Sequence, residues 1–405
     1  MHMHPTSEEG SILEGDVGQM ARQLTTRLQP QRWPIPLNRL PLGTVLVGGA
    51  VRDGLLNRLP THPDLDLVVP ADALREARQL SQSLGGACIV LDRERDMARV
   101  VVGSWTIDLA KQDGQNLDAD LLRRDYRLNA IALTLTDEPT LLDPSGGLED
   151  LRKGRITAIS EQNLLDDPLR LLRALRLMAE LSMAIDDNTV QMITSHRDHL
   201  PTVAPERIQS ELLKLVQADH ADEAIHLLHS LKLMAPWGSH ERQRSFNAQA
   251  LTHQEQRLAL PLARLTELIT DQGLIKLRFS RKQRQRCKRL RHWWTRDQKQ
   301  SADTFGEEER VNLHQELKDD LPAFILGWSQ ERQGPWLNRW RNQQDPLFHP
   351  SAPLNGRELQ EELGLRPGPQ LGALIQHLCL EQAFGRIRGK NDAIQFARAW
   401  IDRPL

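Results

Sequence analysis

Residues 47–69 read VGGAVRDGLLNRLPTHPDLDLVV, and this is the most informative stretch of the chain. A short apolar strand leads into Gly48 and Gly49, whose lack of side chains lets backbone N–H groups approach an anion closely. Asp64 and Asp66 flank a leucine in a strand-like run, and because side chains alternate along a strand, both carboxylates share one face. Two adjacent carboxylates repel unless a cation lies between them, and Mg²⁺ prefers oxygen ligands. A phosphate cradle followed by a metal site indicates nucleotidyl transfer, although either feature alone is typical of a solvated turn.

Composition limits the class of protein. The 405 residues carry a formal net charge of −2, so any nucleic-acid surface must come from local clustering of basic residues. Cys88, Cys287 and Cys379 lie far apart without a CxxC pair, which indicates neither a disulfide framework nor a zinc site and fits a reducing cytoplasm. No apolar run is long enough to span a bilayer, and we therefore expect a cytoplasmic protein without membrane attachment.

The chain changes from strand-rich to helical along its length. From about residue 37 to 140, short apolar runs alternate with one helical segment, Pro70–Leu84. The predicted strands are Thr44–Val47, Leu65–Val69, Cys88–Leu91, Arg99–Val102, Trp105–Ala110 and Ala130–Thr136. After about residue 160 we expect only helices, interrupted by proline and glycine. The pattern predicts an α+β head followed by helical modules. Residues 1–36 are predicted to be a leader without ordered structure.

A second motif, RRDYRLNAIAL, spans residues 123–133. The guanidinium forks of Arg123 and Arg124 suit the oxygens of a triphosphate. Asp125 can accept a hydrogen bond from a ribose hydroxyl, and Asn129 can bond to backbone or sugar. A solvated basic helix start would explain the arginine pair alone, so the functional interpretation depends on the whole pattern.

A third polar group lies in DDPLRLLRALRLMAEL, residues 166–181. Asp166 or Asp167 can cap a helix, and the proline after them suits a first helical turn. The leucines of the helix share one face, whereas Arg170 and Arg173 lie on the neighbouring face. An amphipathic helix with solvated arginines is the alternative interpretation.

Together these motifs resemble those of the polymerase-β-like nucleotidyltransferases and, within them, the class II tRNA nucleotidyltransferase and bacterial poly(A) polymerase family. That family carries GGxVRD followed by DxD, RRDxxxNAI and EDxxR, and the stretch DPSGGLEDL at 143–151 resembles its DPxGGxEDL element. The resemblance implies a head with a mixed β-sheet and an all-helical neck, body and tail. The predicted boundaries are 37–140 for the catalytic head, 141–205 for a neck that selects the nucleobase, 206–300 for an RNA-binding body and 301–405 for a tRNA-binding tail.

The resemblance also implies which residues bind the incoming nucleotide. Asp166, Asp167 and Arg170 correspond to EDxxR, which serves the family as a protein template for the base. Cytosine and adenine both place an amino donor beside a ring-nitrogen acceptor, so a carboxylate and an arginine fit both, whereas uracil and guanine would present a carbonyl to the carboxylate. The family usually has Glu where this chain has the shorter Asp166. The predicted nucleotide-binding residues are Gly48, Gly49, Arg52, Asp53, Arg123, Arg124, Asp125, Asn129, Asp166, Asp167, Arg170 and Arg173.

The catalytic centre implied by the resemblance contains two Mg²⁺ ions. Asp64 and Asp66 are the predicted metal ligands and catalytic residues, CTP and ATP are the substrates, and an RNA 3′-hydroxyl is the nucleophile. Related polymerases use a third carboxylate from a neighbouring strand. Asp108, in the run SWTIDLA, is the candidate, and an ordinary strand-end aspartate is the alternative.

Basic residues concentrate in LIKLRFSRKQRQRCKRLRHWW, residues 274–294. Such a run is often merely solvated, but in a near-neutral chain it is the best candidate for an RNA phosphate surface. The stretch PLNGRELQEELGLRPGPQLGALIQHL, residues 353–378, resembles the family's tail, which grips tRNA in relatives. The predicted RNA-binding residues are Arg281, Lys282, Arg284, Arg286, Lys288 and Arg289.

We therefore expect addition of CMP, AMP or both to the tRNA 3′ end, with release of pyrophosphate. Only KQDGQNLDADLL, residues 111–122, separates Asp108 from the second motif. In CCA-adding relatives this segment includes a longer flexible loop associated with the switch to the final A, and CC-adding relatives have it shortened. The hypothesis is therefore CC addition, with full CCA addition open. The alternatives are a bacterial poly(A) polymerase and a catalytically inactive RNA-binding relative, and the oligomeric state stays open.

Overall fold

A computed structural model describes residues 12–238 and 244–402 of the chain. The chain divides into two compact units between Val203 and Ala204. The first unit combines a sheet with helices, and the described part of the second is built from helices, which confirms the predicted α+β class. Residues 1–11, part of the expected leader, lie outside the described residues.

Seven strands form the mixed sheet of the first unit. They are β1 (Val45–Val47), β2 (Leu65–Val69), β3 (Ala87–Asp92), β4 (Met97–Val102), β5 (Trp105–Lys111), β6 (Ala132–Thr134) and β7 (Leu141–Leu142). Their order across the sheet is β3-β4-β5-β2-β1-β6-β7. Strands β2 and β5 run parallel, and the other neighbouring pairs are antiparallel. All six predicted strands are confirmed, with small shifts at their ends.

The first unit also contains helices before, between and after these strands. They are α1 (Val17–Leu28), α2 (Gly49–Leu55), α3 (Ala73–Leu84), α4 (Leu117–Leu121), α5 (Gly147–Lys153), α6 (Glu161–Asp166), α7 (Leu169–Leu181) and α8 (Asp187–His196). Helix α3 contacts β3, β4 and β5. Leu65 and Leu67 of β2 and Ile107 and Leu109 of β5 are buried. Because side chains alternate, the residues between these leucines and isoleucine point to the opposite face of the sheet.

The predicted disorder of residues 1–36 is wrong from residue 12 onward. Helix α1 begins after Asp16, whose carboxylate accepts a hydrogen bond from the Gln19 N–H at 2.8 Å. Its buried residues include Met20 and Leu24. A Cβ added to Gly54 of α2 would come within 2.3 Å of a Leu24 methyl carbon, so α1 and α2 pack closely. The buried residues of α1 recur at helical spacing, but they are few among polar residues, so the sequence pattern did not indicate the helix.

Two short strands lie beyond the main sheet. They are β8 (Arg155–Ile156) and β9 (Ala184–Ile185), which pair in parallel. Strand β9 corrects the expectation that only helices follow residue 160. The pair is short because it is formed by the connections at either end of the α6–α7 region, where Ala184 N–H donates to Gly154 O at 3.0 Å.

The second unit contains the remaining helices. They are α9 (Pro205–Gln217), α10 (Ala221–Ser230), α11 (His253–Leu268), α12 (Asp271–Lys276), α13 (Arg281–Lys299), α14 (Glu307–Leu317), α15 (Leu321–Ile325), α16 (Gln330–Arg341), α17 (Gly356–Leu363), α18 (Pro369–Ala383) and α19 (Lys390–Ile401). The last three share an apolar core that includes Leu359, Leu374 and Leu378. None of the described helices is long and apolar enough to cross a membrane. The finer boundaries at residues 140, 205 and 300 stay predictions.

Candidate active site

The glycine pair lies at the end of β1, where the chain turns into α2. Gly48 has φ +74°, a conformation that side chains disfavour, and Gly49 opens the helix. A Cβ on Gly48 would lie 2.8 Å from Asp66 Oδ2. Only glycine therefore allows the turn to approach the carboxylate of β2 this closely. The sequence-predicted cradle and carboxylate are adjacent in space.

Three aspartates meet on the face of the sheet opposite its buried leucines. Asp66 of β2 is in register with Asp108 of β5, and Asp64 is exposed immediately before β2. Burial, together with the charges of Asp108 and Asp64, raises the pKa of Asp66 to about 6, although the nearby charge of Arg124 opposes the rise. The positive charge of Arg124 therefore only partly offsets the effect of burial and of the neighbouring carboxylates on the charged form of Asp66.

Asp108 has a cationic partner on the next strand. Arg99 of β4 is its register partner, and Arg99 Nε and Nη2 donate to the two Asp108 oxygens at 2.8 Å each. The hydrogen bond and the charge of Asp108 raise the pKa of Arg99. This bidentate pair already occupies both oxygens of Asp108. The role of Asp108 as a third catalytic carboxylate stays a prediction.

The donor set fits a hard divalent cation. Asp64 and Asp66 supply only oxygen ligands, and a cation would stabilise the charged form of the buried Asp66 carboxyl. Within residues 12–238 and 244–402, no three or more His, Cys, Asp and Glu side chains are grouped in a way that could hold a metal ion. A cation here would therefore complete its coordination with substrate oxygens and water, as Mg²⁺ commonly does.

A chain of hydrogen bonds joins the first predicted motif to the helix of the third. Arg52 donates to both oxygens of Asp53 at 2.8 and 2.9 Å, and Arg52 Nη1 donates to Asn129 Oδ1 at 2.7 Å. Asn129 Nδ2 donates to Asp125 Oδ1 at 3.2 Å, and Arg173 Nη1 donates to Asp125 Oδ2 at 3.0 Å. Arg52 and Asp125 are buried. These five predicted nucleotide-binding residues bond to one another and form an internal polar frame.

The frame strongly favours one charge state of Asp125. Burial alone would raise the pKa of this carboxyl, but the charge and hydrogen bond of Arg173 outweigh burial and lower the pKa to about 2. Tyr126, the only tyrosine of the chain, is fully buried beside it, and burial raises the pKa of its phenol. The Tyr126 hydroxyl donates to the main-chain oxygen of Arg170 at 2.6 Å. The second motif therefore anchors the start of α7.

A polar cleft of about 680 Å³ opens beside this frame. Its walls carry both signs of charge, and a volume of this size suits a nucleotide. Arg123 pairs with Asp113 at 2.8 Å, and Arg124 lies 3.6 Å from Asp120. The basic residues that line the cleft are Arg95, Lys111, Arg123, Arg124, Arg170 and Arg173.

The predicted base-selecting residues lie at the junction of α6 and α7. Arg170 faces the cleft, and Arg170 Nη1 donates to the main-chain oxygens of Arg123 and Asn163 at 3.1 and 2.8 Å. Burial lowers the pKa of Arg170. Asp166 is exposed and accepts a hydrogen bond from Gln162, and Asp167 accepts one from the Leu169 N–H. The arginine is thus held rigidly at the cleft.

Comparison with known proteins decides the family. The family model described as Poly A polymerase head domain matches residues 44–157, and the one described as Probable RNA and SrmB- binding site of polymerase A matches residues 182–237. The CC-adding tRNA nucleotidyltransferase of Thermus thermophilus is 30% identical over 417 residues, and the match covers 87% of this chain and 93% of that protein. The chain belongs to the tRNA nucleotidyltransferase and poly(A) polymerase family. The family membership predicted from the motifs is confirmed.

Other members of this nucleotidyltransferase family match over similar lengths. The CC-adding enzyme of Synechocystis is 29% identical over 91% of this chain and 96% of that protein, and the A-adding enzyme of Deinococcus radiodurans is 29% identical over 91% and 98%. The Thermotoga maritima CCA-adding enzyme complexed with tRNA shares the fold, with a TM-score of 0.70, 20% identity and coverage of 94% of this chain and 98% of that chain.

The six predicted RNA-binding residues of this nucleotidyltransferase all lie on α13, in the second unit, whereas the cleft belongs to the first. Arg281, Lys282, Lys288 and Arg289 are exposed. Arg286 instead donates to both oxygens of Asp320, at 2.6 to 3.0 Å. The helix therefore offers a basic exposed face, from which Arg286 is withdrawn by its ion pair.

Sequence reasoning missed several residues of the nucleotidyltransferase site. Arg95 and Lys111 line the cleft but belong to no motif. Arg99 gave a usable signal, since a charged residue in the middle of an apolar strand needs a partner on an adjacent strand. Asn163 gave none, because an asparagine in a short helix is common and its partners are main-chain atoms distant in sequence.

Proposed function

We propose that this nucleotidyltransferase adds two cytidylate residues to the 3′ end of tRNA, using CTP and releasing pyrophosphate. The observation that carries the proposal is the meeting of Asp66 and its neighbour Asp64 with the Gly48 turn and the Arg124 guanidinium, because Arg124 also lines a cleft of nucleotide size. Carboxylates for a metal and basic groups for a triphosphate are the two requirements of nucleotidyl transfer.

Each group has a role in this reaction. Asp64 and Asp66 would hold Mg²⁺, which when bound lowers the pKa of the attacking hydroxyl and neutralises charge on the leaving pyrophosphate. Arg123 and Arg124 would orient the triphosphate, and the glycine turn would offer it backbone N–H groups. The frame around Asp125 would hold both motifs in register, and its members Asp125 and Arg173 also line the cleft.

Base selection would come from the α6–α7 junction. Arg170 would donate to the ring nitrogen of cytosine, and Asp167 would accept from its amino group. Uracil would place a carbonyl oxygen against the carboxylate, and each such mismatch costs about 1–3 kcal/mol. Asp166, which is shorter than the usual Glu, would orient this pair.

Restriction to CC addition is supported by the connection from β5 to α4. Only residues 112–116 separate the strand from the helix, and Asp113 N–H donates to Asp120 Oδ1 at 2.8 Å within it. A connection this short and tied to the helix leaves little chain for the longer flexible loop that CCA-adding relatives carry. CC-adding proteins are also among the matched relatives, as are A-adding ones.

The test is extension of three tRNAs at single-nucleotide resolution. The tRNAs end before the CCA, after its first C and after CC, and each receives CTP, ATP or both with Mg²⁺. We expect arrest after CC. Completion of CCA would refute the restriction, and addition of A to the CC-ended tRNA alone would make this an A-adding enzyme.

The same assay addresses the other candidate functions. Long tails from ATP alone would favour a poly(A) polymerase, and no incorporation would favour an inactive RNA-binding relative. Asp64→Ala should abolish incorporation, whereas Asp137→Ala, a change at an exposed aspartate outside the cleft, should not. Equal activity of the two variants would contradict the assigned metal site.

A further inference from the structure

Asn163 is a buried asparagine of α6 whose side chain bonds to a distant segment of main chain. Its Nδ2 group donates to the main-chain oxygens of Leu122 and Arg124 at 2.8 and 2.7 Å. An asparagine amide has two donor hydrogens, so these two bonds use both. The segment it holds is the start of the arginine-rich second motif.

Arg123, which lies between Leu122 and Arg124, supports Arg170, the arginine proposed to select the base. Arg170 Nη1 donates to the main-chain oxygen of Arg123 and to that of Asn163 itself, at 3.1 and 2.8 Å. The two acceptors belong to separate chain segments, and the Asn163 amide joins those segments. Both hydrogens of Nη1 are thereby used, which leaves the Nε and Nη2 donors of the Arg170 fork for a base.

The opposite end of the arginine is also fixed. The Tyr126 hydroxyl donates to Arg170 O at 2.6 Å, and Arg170 N–H donates to Asp167 O at 2.9 Å. The backbone of Arg170 is therefore held independently of its guanidinium. Loss of the Asn163 amide would release the tip of the side chain while leaving its base in place.

We propose that Asn163 is the positioning residue that sets nucleobase selectivity, because its side chain holds residues 122–124 against α6 and so fixes the distance between the two carbonyls, of Arg123 and Asn163, that orient Arg170. The proposal rests on the proposed function, in which Arg170 contacts the base. Asn163 also fixes the main chain of Arg124, so it couples the group that selects the base to the group that holds the triphosphate. Small displacements of a positioned group have large effects on discrimination between substrates.

The experiment measures kcat/KM for CTP and for UTP on tRNA lacking its CCA end. Asn163→Ala should lower the CTP to UTP ratio by about 5- to 140-fold, the range of discrimination that one good base contact supplies. Asn163→Ser, which retains one donor, should give an intermediate ratio, and it serves in place of the alanine variant if that variant does not fold.

The matched control is Ser160→Ala. Ser160 Oγ accepts from the Asn163 N–H at 3.1 Å and caps the same helix through the main chain, whereas the Asn163 side chain bonds to residues 122 and 124. It should lower thermal stability but leave the CTP to UTP ratio unchanged. A further test places Asn163→Ala in an Arg170→Lys background, where the guanidinium fork is absent and the ratio should change no further.

The outcomes distinguish this role from a purely structural one. An unchanged ratio in active Asn163→Ala protein, or an equal fall in Ser160→Ala, would overturn the positioning role alone. An additive fall in the Arg170→Lys background would also overturn it, because the effect would then bypass the arginine. Failure of the unmodified chain to incorporate any nucleotide would instead overturn the proposed function, and this role with it.

Discussion

Replacing Asp125 by asparagine should destabilise the first unit by a calculable amount. Asp125 Oδ1 accepts from the Tyr126 N–H at 2.8 Å and from Asn129, and Oδ2 accepts from Arg173 at 3.0 Å. An asparagine has one acceptor oxygen, so its amide group must face a donor on one side. The change removes the negative charge that pairs with Arg173. It also places the new amide N–H₂ group against at least one of the hydrogen-bond donors that Asp125 accepts from.

The magnitude follows from the proton affinity of the buried carboxyl. Its pKa of about 2, against an ordinary 3.8, corresponds to about 2–3 kcal/mol at 1.36 kcal/mol for each pH unit. Because the folded pKa lies below the unfolded one, this stability is present above pH 3.8 and is lost as pH falls toward 2. The difference between Asp125→Asn and the unmodified protein should therefore be equal at pH 7 and pH 5 and narrow toward pH 3.

The only tyrosine of the chain supplies a local assay. Tyr126 is buried beside Asp125, so ¹⁹F NMR of protein labelled with fluorotyrosine reports unfolding of the first unit specifically. Urea titrations at pH 7, 5 and 3 give the free energy of unfolding. Asp137→Asn, at an exposed position, should change it by less than about 0.5 kcal/mol. A similarly small loss in Asp125→Asn at pH 7, or a difference that does not narrow with acid, would refute the reasoning.

Two further predictions follow from the packing. Gly48→Ala should abolish nucleotide incorporation, because its Cβ would lie 2.8 Å from Asp66 Oδ2. Gly103 also has a positive φ but has open space around it, so Gly103→Ala should retain activity. Comparable activity in the two variants would contradict the close approach of Gly48 to Asp66. His314 is buried, and burial together with the charges of Arg310 and Arg339 lowers its pKa to about 3. As pH falls below 6.5, this histidine therefore binds a proton in the unfolded chain but not in the folded protein. The free energy of unfolding should consequently fall by about 2 kcal/mol from pH 6.5 to 5. His314→Leu should remove this part of the pH dependence in urea unfolding followed by tryptophan fluorescence, and an unchanged slope would count against the assignment.

Local patterns were enough to predict the sheet and the closeness of the glycine turn to the Asp66 carboxylate. Strand β2 begins and ends where its apolar alternation predicts, because one face of it must be buried. The prediction that residues 12–36 lack ordered structure was wrong because local patterns do not record long-range contacts. The few apolar residues of α1 are stabilised by contacts such as that of Leu24 with Gly54, which lie far apart in sequence.

Short-range spacing was sufficient to identify the chemistry of this protein, because turn glycines, paired aspartates and clustered arginines each lie within one strand or turn. The tertiary structure alone decided which polar groups face the nucleotide cleft and which bond to one another. Arg52 is held inside the frame, Asp125 belongs to the frame and also lines the cleft, and Asp108 is held by Arg99. Asn163 reaches main-chain atoms some forty residues away. Hydrogen bonds between distant segments depend on how the sheet and helices pack, and no local spacing records that packing.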